Sequence, residues 1–398
     1  MSKQYDLIIL GGGCAGLSLA GELARYGGTA PRTLILDKRP SYQNDRTWCF
    51  WELPGSAASN LVGHRWREFT VVSRKLTVHV DCFATPYCAI SSDRFYRQSL
   101  SQLAASPAIE LLTGVNALGE IRPLGSGWEV RTDRGPLAAD MVVDTRPLRQ
   151  PTNGDALLWQ IFFGAEVEFY APCLDPGVVT LMDFRMSPQG RIVFTYLLPF
   201  SSRHGLVEVT EFSPLAYPPT ALQPLLQSVL RDLAEGARYE TRRTEGGSLP
   251  MGLARAGTPR TFTFRRPLTC VRAGVFAGGA RPATGYAFQR IQRWAVRCAA
   301  SIMRRSHPVA HPADPPHLTF LDHLFLRVLR RHPDRAPGLF TQLFGGAPTP
   351  SVLRFLGDQP SAADIGQVIR ALPAGIFLRE LFSRSGEGAA QWRESPVA

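Results

Sequence analysis

Three stretches of the sequence predict an α/β protein: a Rossmann-type nucleotide domain, interrupted by a sheet-based insert and followed by a helical region. The first stretch, "YDLIILGGGCAGLSLAGELARYGG", reads as strand, glycine turn, helix and glycine stop. The second, "VVDTRP" at 142–147, is a strand that returns the chain to the first domain. The third, "AGVFAGGARPATGYAFQRIQRWA" at 273–295, reads as a strand, a Gly-Gly turn and a helix.

Taken in order, each element has a local reason. Leu7 to Leu10 form a short buried strand, and Gly11, Gly13 and Gly16 supply G-x-G-x-x-G. Leu17, Leu19, Ala20, Leu23 and Ala24 then recur at helical spacing. "RTLILDKRP" is a second strand ending at Asp37, 21 residues beyond Gly16. Glycine permits the tight turn and lets a pyrophosphate approach the amides at the helix start, while the acid accepts hydrogen bonds from ribose hydroxyls. Dinucleotide binding over Gly11, Gly13, Gly16 and Asp37 is the expectation. A single fingerprint excludes a second complete NAD(P) domain of this type. In the closing segment Val275 to Ala277 is expected as a strand, followed by the turn holding Gly279, then Thr284 and Gly285, then a helix from Ala287. That segment has the look of a closing flavin segment, with "GGA" where many single-Rossmann flavoproteins carry G-D-A.

The layout divides the chain into a discontinuous FAD-binding domain (1–80, 131–150 and 268–305), a substrate domain (81–130 and 151–267) and a C-terminal helical region (306–398). Residues 66–100 and 155–213 read as short strands with turns such as "PQGR" and "SSRHG". Residues 219–235 read as an amphipathic helix, 306–318 as a Pro/His-rich linker and 319–384 as short helices.

Composition bounds the function. The 398 residues are 44% hydrophobic, which fits a folded chain. No apolar run approaches the ~20 residues of a membrane span. Asp6 and the glycines break the N-terminal apolar stretch, so a signal peptide is rejected. Seven cysteines without a C-x-x-C pair argue against a disulfide framework or a zinc site and for a reducing compartment. His64, His79, His307, His311 and His317 have no metal-ligand spacing and read as surface or structural; no metal is expected. The formal charge of +11 is concentrated: 236–335 holds 18 Arg and five acids. Such a block suggests an anionic partner. Without an aromatic–basic repeat or RNA module, nucleic acid is not expected as that partner.

"LVEVTEF" at 206–212 sets two carboxylates in one short β-type run. If extended, Glu208 shares a face with Leu206, Thr210 and Phe212, an odd place for a carboxylate unless the strand is an edge. Glu211 falls on the opposite face and reads as solvated. Asp183 reads either as a partner of Arg185 or as a residue facing the site. Asp45 and Arg46 read either as a structural pair or as residues beside a flavin. Trp48, Phe50 and Trp51 read either as core or as flavin or polyene contacts.

With these segments in order, the chain resembles the bacterial lycopene cyclases, FAD-dependent enzymes that form carotenoid rings. The resemblance rests on "DKRPSYQNDRTWCFW" (37–51), "YLLPFSSRHGLVEVTEFS" (196–213), "GGSLPMG" (246–252), "RPATGYAFQRIQ" (281–292), "FLDHLFLRVLRRHPDRAPGLFTQLF" (320–344) and "VLRFLGDQPSAAD" (352–364). It implies an FAD domain of the aromatic-hydroxylase type with a sheet-based substrate domain. It also implies an isomerase that closes lycopene, or a related acyclic carotene, to β-ionone rings without net redox change. Reduced FAD would be the active cofactor and NAD(P)H its reductant. The resemblance puts Glu208 at the family's essential acid, and Gly279, Thr284 and Gly285 beside the cofactor. A cytoplasmic protein attached peripherally to the membrane follows, through 287–305, with Arg290, Arg293, Arg297 and Arg304 in a stripe, and 319–331. The competing reading is an FAD-dependent monooxygenase of an apolar substrate.

Overall fold

The computed structural model describes residues 5–147, 156–253, 269–305 and 307–383. The Rossmann sheet is built on β1 (Tyr5–Leu10), whose Leu7 to Leu10 are fully buried. β1 lies parallel to β2 (Thr33–Asp37) on one side and to β11 (Gly135–Asp144) on the other; β2 pairs in parallel with β8 (Ile109–Thr113). The early part of β11 continues antiparallel into β10 (Gly127–Thr132) and β9 (Ala117–Leu124), and its last three residues pair with β17 (Cys270–Arg272). Two helices, α1 (Cys14–Ala24) and α4 (Phe288–Arg305), pack together over this sheet, with Leu17, Ala20, Trp294 and Cys298 in a shared core.

A second sheet runs β16-β12-β15-β14-β13-β5-β6. Its strands are β5 (Glu68–Val72), β6 (Thr77–Asp81), β12 (Ala156–Phe169), β13 (Val178–Asp183), β14 (Ile192–Pro199), β15 (His204–Ser213) and β16 (Tyr239–Leu253). Side chains alternate along each strand, so the sheet has two unlike faces. Val207 and Val209 of β15 pack toward α3 (Gln223–Ala234), against Leu226, Val229 and Leu230. Leu206 and Phe212 face the other way, into a core shared with the C-terminal helices α5 (Pro316–Arg331), α6 (Ala336–Gly346), α7 (Thr349–Leu356), α8 (Ala362–Ala371) and α9 (Ala374–Phe382).

A small sheet of β3 (Thr47–Trp51), β4 (His64–Trp66) and β7 (Tyr87–Ser91) joins the two halves. Alternation again explains its use: Trp51 and Tyr87 enter the core of the second sheet, and Phe50, Cys88 and Ile90 enter the Rossmann core.

The sheets divide the chain elsewhere than at the expected boundaries. Residues 68–80, expected in the cofactor domain, lie in β5 and β6 of the second sheet, and 109–130, expected in the substrate domain, lie in β8 to β10 of the first. Residues 92–100, expected among the short strands, fall in helix α2 (Ser92–Ala104), whose Phe95, Tyr96, Ser99 and Leu103 lie buried at helical spacing. Val275–Ala277 is a 3-10 turn, not a strand. The parallel ladder stops at Arg272 because Gly274 and Gly278, at φ +90° and +88°, turn the chain back on itself. Residues 219–235 hold a 3-10 turn followed by α3, and α5 starts at Pro316, inside the expected linker.

Candidate functional site

The glycine turn follows from sterics. Gly11 takes φ +96°, and a Cβ on Gly16 would collide with the Gly11 carbonyl oxygen. Gly13 is different: a Cβ there meets nothing within 4 Å. It stands at the start of α1 with no side-chain cap, and no acidic residue lies in the first turn. The amides there have open space before them and the positive end of the helix dipole behind them, so the residues fit a pyrophosphate. Asp37 ends β2 nearby. Its Oδ2 accepts from the Gly12 amide (3.0 Å) and from Arg39 Nη2 (2.7 Å), and the Arg39 guanidinium lies over the rings of Tyr42 and Tyr96. Burial pushes the Asp37 carboxyl up; the bonds from Arg39 and Gly12 outweigh it and hold the group below its ordinary value.

The closing segment meets this turn. A Cβ on Gly274 would lie 3.6 Å from that of Ala15 and 3.5 Å from the Thr145 carbonyl. The Gly279 amide donates to the Gly274 carbonyl (2.9 Å), and its missing side chain leaves room for that oxygen and for His311. His311 is structural, as expected: its Nε2 accepts from the Gly274 amide (3.0 Å), its ring packs on Trp294, and burial brings its pKa down to about 3.

The loop then carries Thr284 and Gly285 to the second sheet. Gly285, at φ +71°, stands against the Gln160 side chain of β12, and Thr284 Oγ1 accepts from the Tyr286 amide. Gln160 Oε1, Ser248 Oγ and Trp51 Nε1 are buried without a hydrogen-bond partner among the described residues. Unpaired buried polar atoms of this kind fit the polar edge of a bound group. Buried Arg281 locks the base of the loop to the helical region by two bonds to Asp322 of α5 (3.0 and 3.1 Å) and by its position over the Phe355 ring.

Glu208 sits on the face of β15 that looks toward this loop's side of the molecule, and it is 8% exposed. It is not on an edge: β15 is flanked by β12 and β14, so the edge-strand reading is overturned. Its Cα partners are Gly164 on β12 and Tyr196 on β14. Gly164 in turn faces Glu245 on β16. Three strands thus present Glu208, no side chain, and Glu245 in one row. A Cβ on Gly164 would collide with Glu208 Cγ, so the gap is where the Glu208 side chain lies. Glu245 is held by Thr47, whose amide and hydroxyl donate to it at 3.2 and 3.0 Å, and by Arg243. Arg243 also donates to Glu166 (2.6 Å), whose other oxygen meets His204 Nε2 (2.8 Å). The His204 bond, with Arg243, brings the Glu166 carboxyl down to about 2. Among the described residues Glu208 forms no ion pair, and the charge of Arg243 lowers its pKa only in part. Burial first, then the charge and hydrogen bond of Glu245, push its carboxyl well above the ordinary carboxylate range.

Aromatic side chains close the site. The Tyr87 and Tyr196 hydroxyls are 3.0 Å apart, and Trp51 packs on Tyr87 and Tyr286 with ring centroids at 5.0 and 5.3 Å. Burial pushes all three phenols up, so they stay neutral. A narrow cleft of about 30 Å³ lined by Cys49, Phe50, Trp51, Tyr286 and Leu356 lies between β3, the Gly285 loop and α7.

The remaining expectations resolve individually. Glu211 is not solvated: it is 3% exposed and bound by Arg191 and the Tyr217 hydroxyl (2.5 Å). Asp183 pairs with Arg185 (2.5 Å). Asp45 meets Arg46 at 3.4 Å and accepts from Tyr96 (3.0 Å). Phe50 stacks on Phe288 and Trp48 packs with Phe95, both in the Rossmann core; Phe50 and Trp51 both line the cleft. Sequence reasoning missed Glu245, Arg243, Gly164 and Thr47. Thr47 lay inside "NDRTWCFW" and Glu245 just before "GGSLPMG"; no local pattern linked them.

Comparison with known proteins follows these features. A family profile described as lycopene cyclase protein matches residues 6–376. The lycopene beta cyclase of Synechococcus elongatus (strain ATCC 33912 / PCC 7942 / FACHB-805) is 26% identical over 247 residues, 58% of this chain. The matched stretch spans 57% of that relative's length. Among solved structures, a geranylgeranyl bacteriochlorophyll reductase-like protein from Thermoplasma acidophilum superposes with a TM-score of 0.60 at 13% identity, covering 95% of this chain and 98% of its own. The p-nitrophenol 4-monooxygenase of Pseudomonas putida DLL-E4 gives 0.56 at 15% identity, covering 96% and 98%. A flavin-dependent monooxygenase solved with FAD and substrate gives 0.55 at 12% identity, covering 94% and 72%. These likenesses establish the fold.

Proposed function

The chain belongs to the lycopene cyclase protein family, and from that premise we propose that it closes the ends of lycopene, or a related acyclic carotene, to β-ionone rings without net oxidation or reduction. The observation that carries this reading is Glu208: a carboxyl kept protonated by burial and by a neighbouring carboxylate, on a face lined with neutral aromatic rings. Protonation of a terminal alkene needs a neutral acid in an apolar setting. Glu208 gives its proton to the terminal double bond, whose π pair forms the new C–H bond. The neighbouring double bond attacks the tertiary cation to close the ring. A ring C–H pair then becomes the new double bond, and its proton returns to the Glu208 carboxylate. Trp51 and the tyrosines offer π faces to the cation.

FAD fits the residues present, with Gly11, Gly13 and Gly16 under its pyrophosphate, Asp37 at its ribose, and Gly279, Thr284 and Gly285 along the closing segment. In its reduced state, with NAD(P)H as reductant, it supplies negative charge beside the cation. Gly13→Val fills the open space over the helix start, so this variant folds and purifies without yellow colour. Full FAD occupancy in that variant overturns the placement.

Peripheral attachment to the membrane is part of the proposal, since the substrate is a bilayer hydrocarbon. Among the described residues no helix is long and apolar enough to cross a membrane. Phe320, Leu378 and Phe382 of α5 and α9 are 51%, 50% and 84% exposed, which supports an apolar contact there. The expected arginine stripe on α4 supports it less: Arg290 is mostly buried and pairs with Asp314, and Arg293 pairs with Asp358 (3.1 Å). Flotation with neutral and anionic vesicles separates the apolar from the charged contribution.

The deciding experiment is anaerobic incubation with lycopene and reduced FAD. Ring formation is expected. Conversion that requires oxygen and consumes NAD(P)H stoichiometrically would favour a monooxygenase instead.

A further inference from the structure

Mid-sheet strands rarely set two carboxylates side by side, because burying a second charge beside the first is costly. Here the backbone makes room for the pairing. β15, β12 and β16 align Glu208, Gly164 and Glu245 across three neighbouring strands, and any residue larger than glycine at 164 would hold the two acids apart. Glu245 is fixed from two directions, by Thr47 at the start of β3 and by Arg243 two positions along its own strand. Glu208 touches neither anchor. Of the other groups facing it, Tyr196 comes from β14 and Cys49 from β3, and both are neutral, with burial pushing the phenol and the thiol up. Arg243 lies beyond Glu245 and is shared with Glu166.

We propose that Glu245 is the positioning residue of this site: anchored by Thr47 and Arg243, it meets Glu208 over Gly164 so that the two carboxyl groups hold a single proton between them. The pairing deepens the cyclase reading and rests on it for its role in turnover. Glu245 keeps Glu208 protonated at neutral pH and fixes its side chain in the gap. When Glu208 releases its proton to the alkene, two carboxylates face the new cation. When the ring proton returns, the one-proton pair is restored, so atoms and charge balance over the cycle without an outside oxidant or reductant. The same arrangement of like charges, one ionised and one protonated, is how paired acids divide their roles.

The test uses the full chain with FAD, its glutamate side-chain carboxyls labelled with carbon-13. In the wild type, one carboxyl signal titrates far above the ordinary range, and Glu208→Gln removes it. In Glu245→Gln, the Glu208 signal is expected to titrate at lower pH. Cyclisation of lycopene should fall about tenfold or more, with the alkaline edge of its pH profile also moving to lower pH. Gly164→Ala should do the same without removing any ionisable group, and it decides the matter if Glu245→Gln does not fold. A folded variant of either kind whose Glu208 titration and alkaline edge both match the wild type overturns the proposal. A wild type that makes no rings, while Glu245→Gln still shifts the Glu208 signal, keeps the carboxyl pair and removes the cyclase reading. Ring formation with a Glu208 signal indifferent to Glu245 does the reverse.

Discussion

β15 carries two buried glutamates, Glu208 at 8% and Glu211 at 3% exposure, and the molecule treats them in opposite ways. Glu211 looks toward the α3 side, where Arg191 and Tyr217 take both its oxygens. That is a compensated buried charge, and it holds β14, β15 and the chain entering α3 together. Glu208 faces the other side of the sheet, where the charge of Glu245 acts on it. Burial is nearly the same for both, so burial alone does not set the proton affinity of a carboxyl. The sign of the neighbouring charge does.

The comparison can be broken most sharply by exchanging each acid for its amide. Glu208→Gln keeps the shape and removes the transferable proton, so lycopene turnover should drop by about 10²–10⁴-fold, measured on folded, yellow protein under anaerobic conditions. Glu211→Gln should leave turnover per folded molecule near the wild-type level. Comparable loss in both variants would mean that the two faces are not functionally distinct.

Stability should rank the pair the other way. Glu211→Gln removes a charge-assisted partner from Arg191 and Tyr217, and should lower the urea-unfolding free energy by about 1–3 kcal/mol. The lower part of that range is the better expectation, because the Arg191 side chain is 40% exposed and water screens what is lost. Tyr217→Phe, which removes one hydroxyl bond to Glu211 and keeps the ring, should cost about 1 kcal/mol.

A separate effect concerns pH. A carboxyl raised in the folded state binds more protons folded than unfolded. Stability therefore falls as pH rises above the unfolded value of about 4.3 and continues to fall until the folded group titrates. Glu208 contributes such a loss, so Glu208→Gln should be as stable as the wild type in acid and progressively more stable toward neutral pH. Unfolding curves at several pH values check this. A wild type that keeps pace with Glu208→Gln across that range would mean Glu208 is not held protonated.

Much of the Rossmann half is legible in the residues because its signals are local. The turn at Gly11 to Gly16 is forced by close approach and a positive φ within one short segment, and the acid at Asp37 ends the very next strand. Leu222, Leu226, Val229 and Leu230 likewise announce the buried side of α3 by spacing alone. The period-2 pattern also gave the correct opposition of Glu208 and Glu211. It could not tell which face met water, and here neither does. Misplaced boundaries have a related cause: β5 and β6 are ordinary alternating strands, and nothing in such a strand says which sheet it will join.

By itself the sequence determined the glycine turn, most of the order of the main elements and the family, and it singled out Glu208. Only the tertiary structure decided that Glu208 stands mid-sheet, that Glu211 is paired with Arg191, and that Gly164 leaves the gap in which the Glu208 side chain lies. The reason is the range of the forces involved. Helical spacing, turn sterics and capping act between residues a few positions apart and leave a mark in the order of the letters. Strand register joins residues from distant parts of the chain, and the proton affinity of a buried acid depends on whichever charge that register sets beside it.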